Sequence, residues 1–129
     1  MDLLTFEQRK LYLLATSKGV RTNLASIAEG AEKLNEMASE TPTPFMLLDY
    51  RKVKFNVPHT HANDLMRLHE SKMENLKNVT MAVVISQKER KLAELWKEIS
   101  EKKGLWFTLF DNFDEAEEWL LTQAEMFKK

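Results

Sequence analysis

Two apolar runs constrain the fold of this chain more than any other feature. Residues Phe45 to Leu48 are all apolar, and Val79 to Ile85 contain a single polar residue, Thr80. A run of this kind is typical of a strand covered on both faces, as in a parallel sheet under helices. Segments with helical periodicity follow both runs, so the pattern predicts strand–helix–strand units, whose crossovers are nearly always right-handed.

Four segments carry apolar residues at intervals of three and four, which is the spacing of one helix face. They begin near Leu24, Pro58, Ser86 and Asn112. The predicted inward faces are Leu24, Ile27, Ala28, Ala31, Leu34 and Ala38; Ala62, Leu65, Met66, Met73 and Leu76; Leu92, Leu95, Trp96 and Ile99; and Ala116, Trp119, Leu120 and Phe127. Ser86 with Glu89 has the spacing of a capping box, and Asn112 is expected to cap the last helix.

Three further strands complete the prediction. Residues 2–6 and 10–17 read as a hairpin around a short polar break, and residues 105–110 read as a strand before the last helix. The predicted element order is ββαβαβαβα. We therefore expect an α/β sandwich on a mixed five-stranded sheet, formed by one domain over residues 1–129, with all three tryptophans in its core.

Composition excludes several classes of function. The 129 residues contain no cysteine, which rules out disulfides, thiolate metal sites and thiol nucleophiles. With 19 Lys and Arg against 20 Asp and Glu, there is no basic excess of the kind that nucleic acid requires. No apolar run approaches the ~20 residues that span a bilayer, and no signal peptide is visible. We expect a cytoplasmic protein.

Three segments together resemble the STAS domain family, in particular its bacterial SpoIIAA-like (STAS-like) branch. Residues 47–55, Leu-Leu-Asp-Tyr-Arg-Lys-Val-Lys-Phe, resemble the buried strand that ends in an acidic residue and leads through a Val-x-Phe element into a helix. Residues 81–85 resemble the following strand. Residues 110–120, from Phe110 to Leu120, are similar to the ending of SpoIIAA-like proteins. The likeness covers essentially the whole chain.

The resemblance implies a non-enzymatic domain that binds a protein partner. STAS domains of the anti-sigma-factor-antagonist type bind a kinase and are switched by phosphorylation of a serine at the start of the helix after the Val-x-Phe element. Here that stretch reads Asn56-Val57-Pro58-His59-Thr60-His61, and Thr60 is its only hydroxyl. We therefore expect that phosphorylation does not switch this domain in that way.

The candidate binding residues are expected at the carboxyl edge of the sheet, where ligands gather in open α/β folds. They are Asp49, Tyr50, Arg51, His59, Thr60 and Ser86. Helix N-termini near His59, Ser86 and Asn112 would favour an anion there. The alternative is that Asp49 caps a turn and Arg51 is merely solvated.

A metal site is the weaker interpretation of the three histidines. His59 and His61, with Asp64 or His69, offer ligands that suit zinc. His69 falls within the apolar stripe of its predicted helix, however, so a packed histidine is favoured, and we expect no metal and no cofactor.

The sequence thus predicts a domain that binds a protein partner or small ligand, with a homodimer allowed. One alternative is a carrier of a small apolar or lipid-like ligand in a cavity between helices and sheet. Another is a metal-assisted enzyme.

Overall fold

A mixed five-stranded sheet with helices on both faces forms the fold. The computed structural model describes residues 4–21, 24–40, 44–56, 74–102 and 104–128. The strands are β1 (Leu4–Gln8), β2 (Leu13–Arg21), β3 (Phe45–Phe55), β4 (Thr80–Ile85) and β5 (Phe107–Phe110). The helices among these residues are α1 (Leu24–Glu40), α2 (Arg90–Lys102) and α3 (Phe113–Lys128). Short 3₁₀ turns span Glu74–Asn78 and Gln87–Glu89.

The sheet has the strand order β1-β2-β3-β4-β5. β1 is antiparallel to β2, and β2 to β5 are parallel to one another. The two apolar runs form β3 and β4, each of which has a strand on both sides. The predicted mixed sheet with these two strands in its interior is therefore confirmed.

The core is divided between the two faces of the sheet because successive strand residues point to opposite sides. Met46 and Leu48 of β3 point towards α1 and α2, while Phe45 and Leu47 point towards α3. The α3 face is completed by residues that are almost fully buried: Ala116, Leu120 and Ala124. This arrangement is the predicted α/β sandwich.

The hairpin boundaries differ from the prediction. β1 ends at Gln8 rather than at residue 6, and β2 starts at Leu13 rather than at residue 10 and continues to Arg21. The turn is closed by the Arg9 N–H, which donates to the Tyr12 carbonyl at 2.8 Å. The polar residues read as a break thus belong partly to β1, whose side chains are largely exposed and carry little apolar signal.

β3 is much longer than its apolar run. It continues from Leu48 to Phe55, with β2 alongside. Thr16 pairs with Asp49 whereas Lys18 pairs with Lys52, so β3 carries one extra residue between these two pairs. An extra residue of this kind is a β-bulge, which bends the strand and leaves a backbone group without its ladder partner.

One predicted helix cap is absent and the other is present. The Ser86 side chain makes no cap hydrogen bond, and residues after it form a 3₁₀ turn before α2 begins at Arg90. The predicted capping box is therefore wrong. The Asn112 Oδ1 accepts a hydrogen bond from the Glu115 N–H at 3.1 Å, as expected for a cap.

The remaining boundaries shift by one or two residues. β4 begins at Thr80 rather than Val79, and β5 begins at Phe107 rather than Leu105. The helix predicted after Pro58 lies outside the described residues, apart from Leu76, which is buried in a 3₁₀ turn. No helix in the described ranges is long and apolar enough to cross a bilayer.

Candidate functional site

An ion pair between Asp49 and Arg51 marks the point where β3 bulges. The Arg51 Nε and Nη2 donate to the two Asp49 carboxylate oxygens, each at 2.8 Å. The backbone N–H of Arg51 also donates to Asp49 Oδ1, at 3.3 Å. The carboxylate therefore satisfies a backbone N–H beside the extra residue and holds the guanidinium in one orientation.

The electrostatics of this pair favour its charged form. Burial by itself would raise the pKa of the Asp49 carboxyl, but hydrogen bonds from the Arg51 side chain and backbone, with the charges of Arg51 and Lys52, outweigh it. The net result is a pKa of Asp49 below its ordinary value. The same hydrogen bond raises the pKa of Arg51. The hydrogen bonds from Arg51 stabilise the ionised Asp49 carboxylate and are lost when it is protonated, which explains why its pKa is lowered.

Arg51 also contacts the first residue of α3. Its guanidinium carbon lies 5.2 Å from the centroid of the Phe113 ring, which is cation–π geometry. The nearby charge of Asp114 contributes further to the raised pKa of Arg51. A half-exposed arginine is thus fixed between a carboxylate and an aromatic ring, with one side open to solvent.

A second charged cluster joins the end of β5 to the start of α2. Arg90 donates from Nη1 to Asp111 Oδ1 at 2.8 Å and from Nε to Glu94 Oε1 at 3.0 Å. Gln87 Nε2 donates to Asp111 Oδ2 at 3.4 Å. Hydrogen bonds to Glu94 and Asp111 raise the pKa of Arg90 despite partial desolvation. The carboxyl edge therefore presents two arginines held by carboxylates.

Tyr50 lies on the opposite face of β3 from the Asp49–Arg51 pair. It packs against the α1 and α2 side of the core, and its charged form is disfavoured by burial, which raises the pKa of its hydroxyl to about 12. Arg21 acts on it in the opposite direction. Asp49, Tyr50 and Arg51 were expected where β3 meets a loop. The structure instead places them inside a continuous strand that separates Tyr50 from the other two.

Of the three other predicted site residues, only Ser86 lies within the described part of the chain. Ser86 directly follows β4 and lines a groove beside the end of β3. His59 and Thr60 lie outside the described residues, as do His61, Asp64 and His69 of the weaker metal interpretation. Within the described ranges, no group of three or more His, Asp or Glu side chains could hold a metal ion.

Sequence reasoning missed Phe113, Arg90 and Asp111 as members of the edge. A usable signal existed for Asp111, which follows β5 at a strand end just as Ser86 follows β4.

The prediction for Trp106 was wrong, because this side chain is 63% exposed rather than part of the core. Trp119 is half-buried against Phe110, with ring centroids 5.7 Å apart.

A small apolar cavity lies between the sheet and helices α1 and α2. Its volume is about 140 Å³, and its lining includes Leu48, Tyr50, Phe55, Leu92, Trp96 and Leu105. Trp96 meets Phe55 edge to face, with centroids 4.9 Å apart. The buried Nε1–H of Trp96 makes no hydrogen bond with any described part of the chain.

No model of a known protein family matches the sequence, and no curated protein matches it.

Solved structures resemble this chain over nearly its whole length. An anti-sigma factor antagonist from Mycobacterium paratuberculosis is 14% identical with a TM-score of 0.62, covering 91% of this chain and 92% of its own. The anti-sigma factor antagonist SpoIIAA in its unphosphorylated form is 11% identical with a TM-score of 0.53, covering 92% and 96%. An uncharacterised protein with a SpoIIAA-like fold from Shewanella loihica is 18% identical with a TM-score of 0.55, covering 91% of each chain. The chain has a SpoIIAA-like, STAS-like fold, as its sequence predicted.

Proposed function

We propose that this chain is a non-enzymatic cytoplasmic domain that binds a protein partner through the carboxyl edge of its sheet. The observation that carries the proposal is the fold itself, which matches two anti-sigma factor antagonists over more than nine-tenths of both chains. An antagonist of a protein factor acts by binding another protein. The same fold, with Arg51 and Arg90 held by carboxylates at this edge, suits the same mode of action.

The orientation of Arg51 supports this choice of surface. Arginine and aromatic residues are enriched among the side chains that contribute most to protein interfaces. Arg51 is already held by Asp49 and by the Phe113 ring, so less conformational entropy is lost when a partner binds it. Arg90, held by Asp111 and Glu94, offers a second fixed cation near the same edge.

Affinity capture from the native lysate tests this function with a charge-neutral pair variant. Asp49→Asn with Arg51→Gln removes both charges together, so no buried charge is left without its partner. We expect the wild-type chain to retain a specific protein that this double variant loses. Arg9→Gln, at the opposite end of the sheet in an exposed pair with Glu7, is the matched control and should retain it.

Equal capture by a folded double variant would place the interface elsewhere. A wild-type chain that retains nothing beyond the background of an unrelated protein would count against partner binding.

A second candidate function is the binding of a small apolar molecule in the cavity beside Trp96. The Nε1–H of Trp96 favours it, because this buried donor has no acceptor among the described residues and a ligand's acceptor atom would restore the free energy that is lost. The volume of about 140 Å³ is close to that of engineered cavities of about 150 Å³ that bind benzene. The described cavity therefore suits a molecule with a single aromatic ring and a hydrogen-bond acceptor better than it suits a lipid chain.

Native mass spectrometry of freshly purified protein tests the carrier function. A retained small molecule in the wild type that is lost on Trp96→Phe, a change that removes the donor and keeps an aromatic ring, would support it. The apo mass alone in both proteins would refute it.

A further inference from the structure

Two of the three large apolar side chains that are exposed in the described part of the chain lie beside α3. Trp106 is 63% exposed and Met126 is 64% exposed. Trp106 directly precedes β5 and lines a groove of about 520 Å³ together with Trp119 and Gln123 of α3. Met126 is three residues after Gln123, so these two side chains are neighbours on the helix surface. We call these four residues the tryptophan face.

The composition of the tryptophan face is typical of a docking surface. Tryptophan and methionine are enriched in protein interfaces relative to the rest of the surface. Exposed apolar side chains that are grouped, rather than scattered singly, mark places where another molecule binds. Trp106 and Met126 are mostly in water, so the fold gains little from their size and a bound partner would gain more.

Negative charge lies beside the tryptophan face. α3 contains five acidic residues and one basic residue. Glu115 is four residues before Trp119 and is its neighbour on the helix, while Glu118 and Glu125 lie on the adjacent row. All three glutamates are exposed, and none of them forms an ion pair with a described residue.

The two lysines that line the groove do not offset this charge. Lys97 pairs with Glu101, and Lys77 pairs with Glu74. Each pair is neutral, so the carboxylates of α3 determine the charge of the surface. They repel nucleic acids and anionic membranes, which carry phosphate groups. Charge complementarity therefore favours a cationic protein segment.

We propose that the tryptophan face docks a basic segment of a protein partner, with an arginine of that segment stacked on the indole ring of Trp106. Tryptophan is the best aromatic partner for a cation, and the planar guanidinium stacks on such a ring better than an ammonium does. Met126 offers an apolar contact, and Glu118 and Glu125 attract further cations of the segment. This surface is separate from the carboxyl edge, because Trp106 lies at the amino end of β5.

Two-dimensional proton–nitrogen NMR of the full chain tests the proposal, because each tryptophan gives one indole N–H signal. The probes are three synthetic dodecapeptides, made of four repeats of Arg-Leu-Ala, Lys-Leu-Ala or Glu-Leu-Ala. We expect the arginine peptide to shift the signals of Trp106 and Trp119 and to leave Trp96, in the cavity on the other face of the sheet, unchanged. The lysine peptide should bind about threefold more weakly, and the glutamate peptide should not bind.

A tryptophan variant tests the stacking. Trp106→Ala should weaken binding of the arginine peptide about fivefold and remove its advantage over the lysine peptide. Val20→Ala removes the third exposed apolar side chain, which lies on β2, and is the matched control. It should leave both affinities unchanged.

Charge-neutral variants test the role of the helix. Glu118→Gln with Glu125→Gln should weaken binding of the arginine peptide about threefold, and the remaining binding should depend less on salt. Glu36→Gln with Glu40→Gln changes two exposed glutamates of α1 and is the matched control, which should bind as the wild type does.

Several results would overturn the inference. They are equal shifts with all three peptides, an equal shift of Trp96, no shift at millimolar peptide, and an unchanged affinity in Trp106→Ala. Self-association of the chain that Trp106→Ala abolishes would assign the face to a second copy instead. The carboxyl-edge variant Asp49→Asn with Arg51→Gln should bind the arginine peptide normally, and loss of binding there would contradict a separate surface.

Discussion

Replacing Arg51 by Ala should lower the free energy of unfolding by roughly 1–3 kcal/mol at pH 7. The change leaves the Asp49 carboxylate, whose side chain is only 12% exposed, with the backbone N–H of residue 51 as its remaining donor in this pair. Breaking a fully buried ion pair costs ~3–5 kcal/mol. The Arg51 side chain is 50% exposed, so water can partly solvate the carboxylate left behind, and we expect the smaller figure.

The cost should also depend on pH, with a sign set by the pKa of Asp49. In the wild type this pKa is depressed, so the pair contributes stability above the unfolded value of about 4, which is lost as pH falls below it. In Arg51→Ala, the side-chain hydrogen bonds and the charge that oppose burial are lost, so the pKa of Asp49 should be higher than in the wild type. Protonation then relieves the penalty in the variant while it removes the benefit in the wild type. The difference between the two proteins should be greatest at pH 7 and small at pH 3.

Urea unfolding at pH 7, 5 and 3 measures this difference directly. Arg9→Ala is the control, because Arg9 and Glu7 form an exposed pair whose loss should leave the free energy of unfolding nearly unchanged at every pH. A destabilisation by Arg51→Ala that is the same at pH 3 and pH 7 would refute the electrostatic argument. It would assign the effect to lost packing against Phe113 instead.

Three other predictions concern separate parts of the molecule. Trp119→Ala should lower the free energy of unfolding in urea by ~2 kcal/mol, less than the ~3–5 kcal/mol of a fully buried aromatic, because Trp119 is half-buried. Trp106→Ala removes an exposed side chain and should lower it by less than ~0.5 kcal/mol. The wild type should lose stability as pH rises from 10 to 12, because the pKa of tyrosine is near 10 in the unfolded chain and about 12 for folded Tyr50. Urea unfolding at pH 9 and 11.5 should show that Tyr50→Phe loses less stability over this range than the wild type, by up to roughly 2 kcal/mol. Phosphopeptide mass spectrometry of cells should find no stoichiometric phospho-Thr60, because the Ser-Ser pair expected of a switched STAS domain is replaced by Pro58-His59-Thr60-His61.

The central strands were predictable because their apolar runs have a direct physical cause. Residues from Phe45 to Leu48 and from Met81 to Ile85 are apolar on both faces since helices cover both sides of the sheet there. The exposed hairpin gives no comparable signal. β1 is an edge strand with mostly exposed side chains, so its ends are set by pairing with β2 rather than by its own composition.

The length of β3 could have been inferred more fully than it was. The charged residues after Asp49 suggest a loop, yet Lys52-Val53-Lys54-Phe55 alternates polar and apolar residues, which is the period of a strand with one covered face. Val53 is indeed buried, while Lys52 and Lys54 are exposed. The bulge had no such signal, because it depends on how β2 aligns with β3 through contacts distant in sequence.

The bulge explains why a buried carboxylate occurs in the middle of a central strand. An extra residue in β3 leaves a backbone N–H without its ladder partner, and an N–H shielded from water costs free energy unless an acceptor is supplied. Asp49 supplies it through Oδ1, and Arg51 then neutralises the charge that Asp49 introduces. Asp49 is thus required by the backbone and Arg51 by Asp49. The register change that these two residues stabilise also determines which backbone groups of β3 face β2 beyond this point.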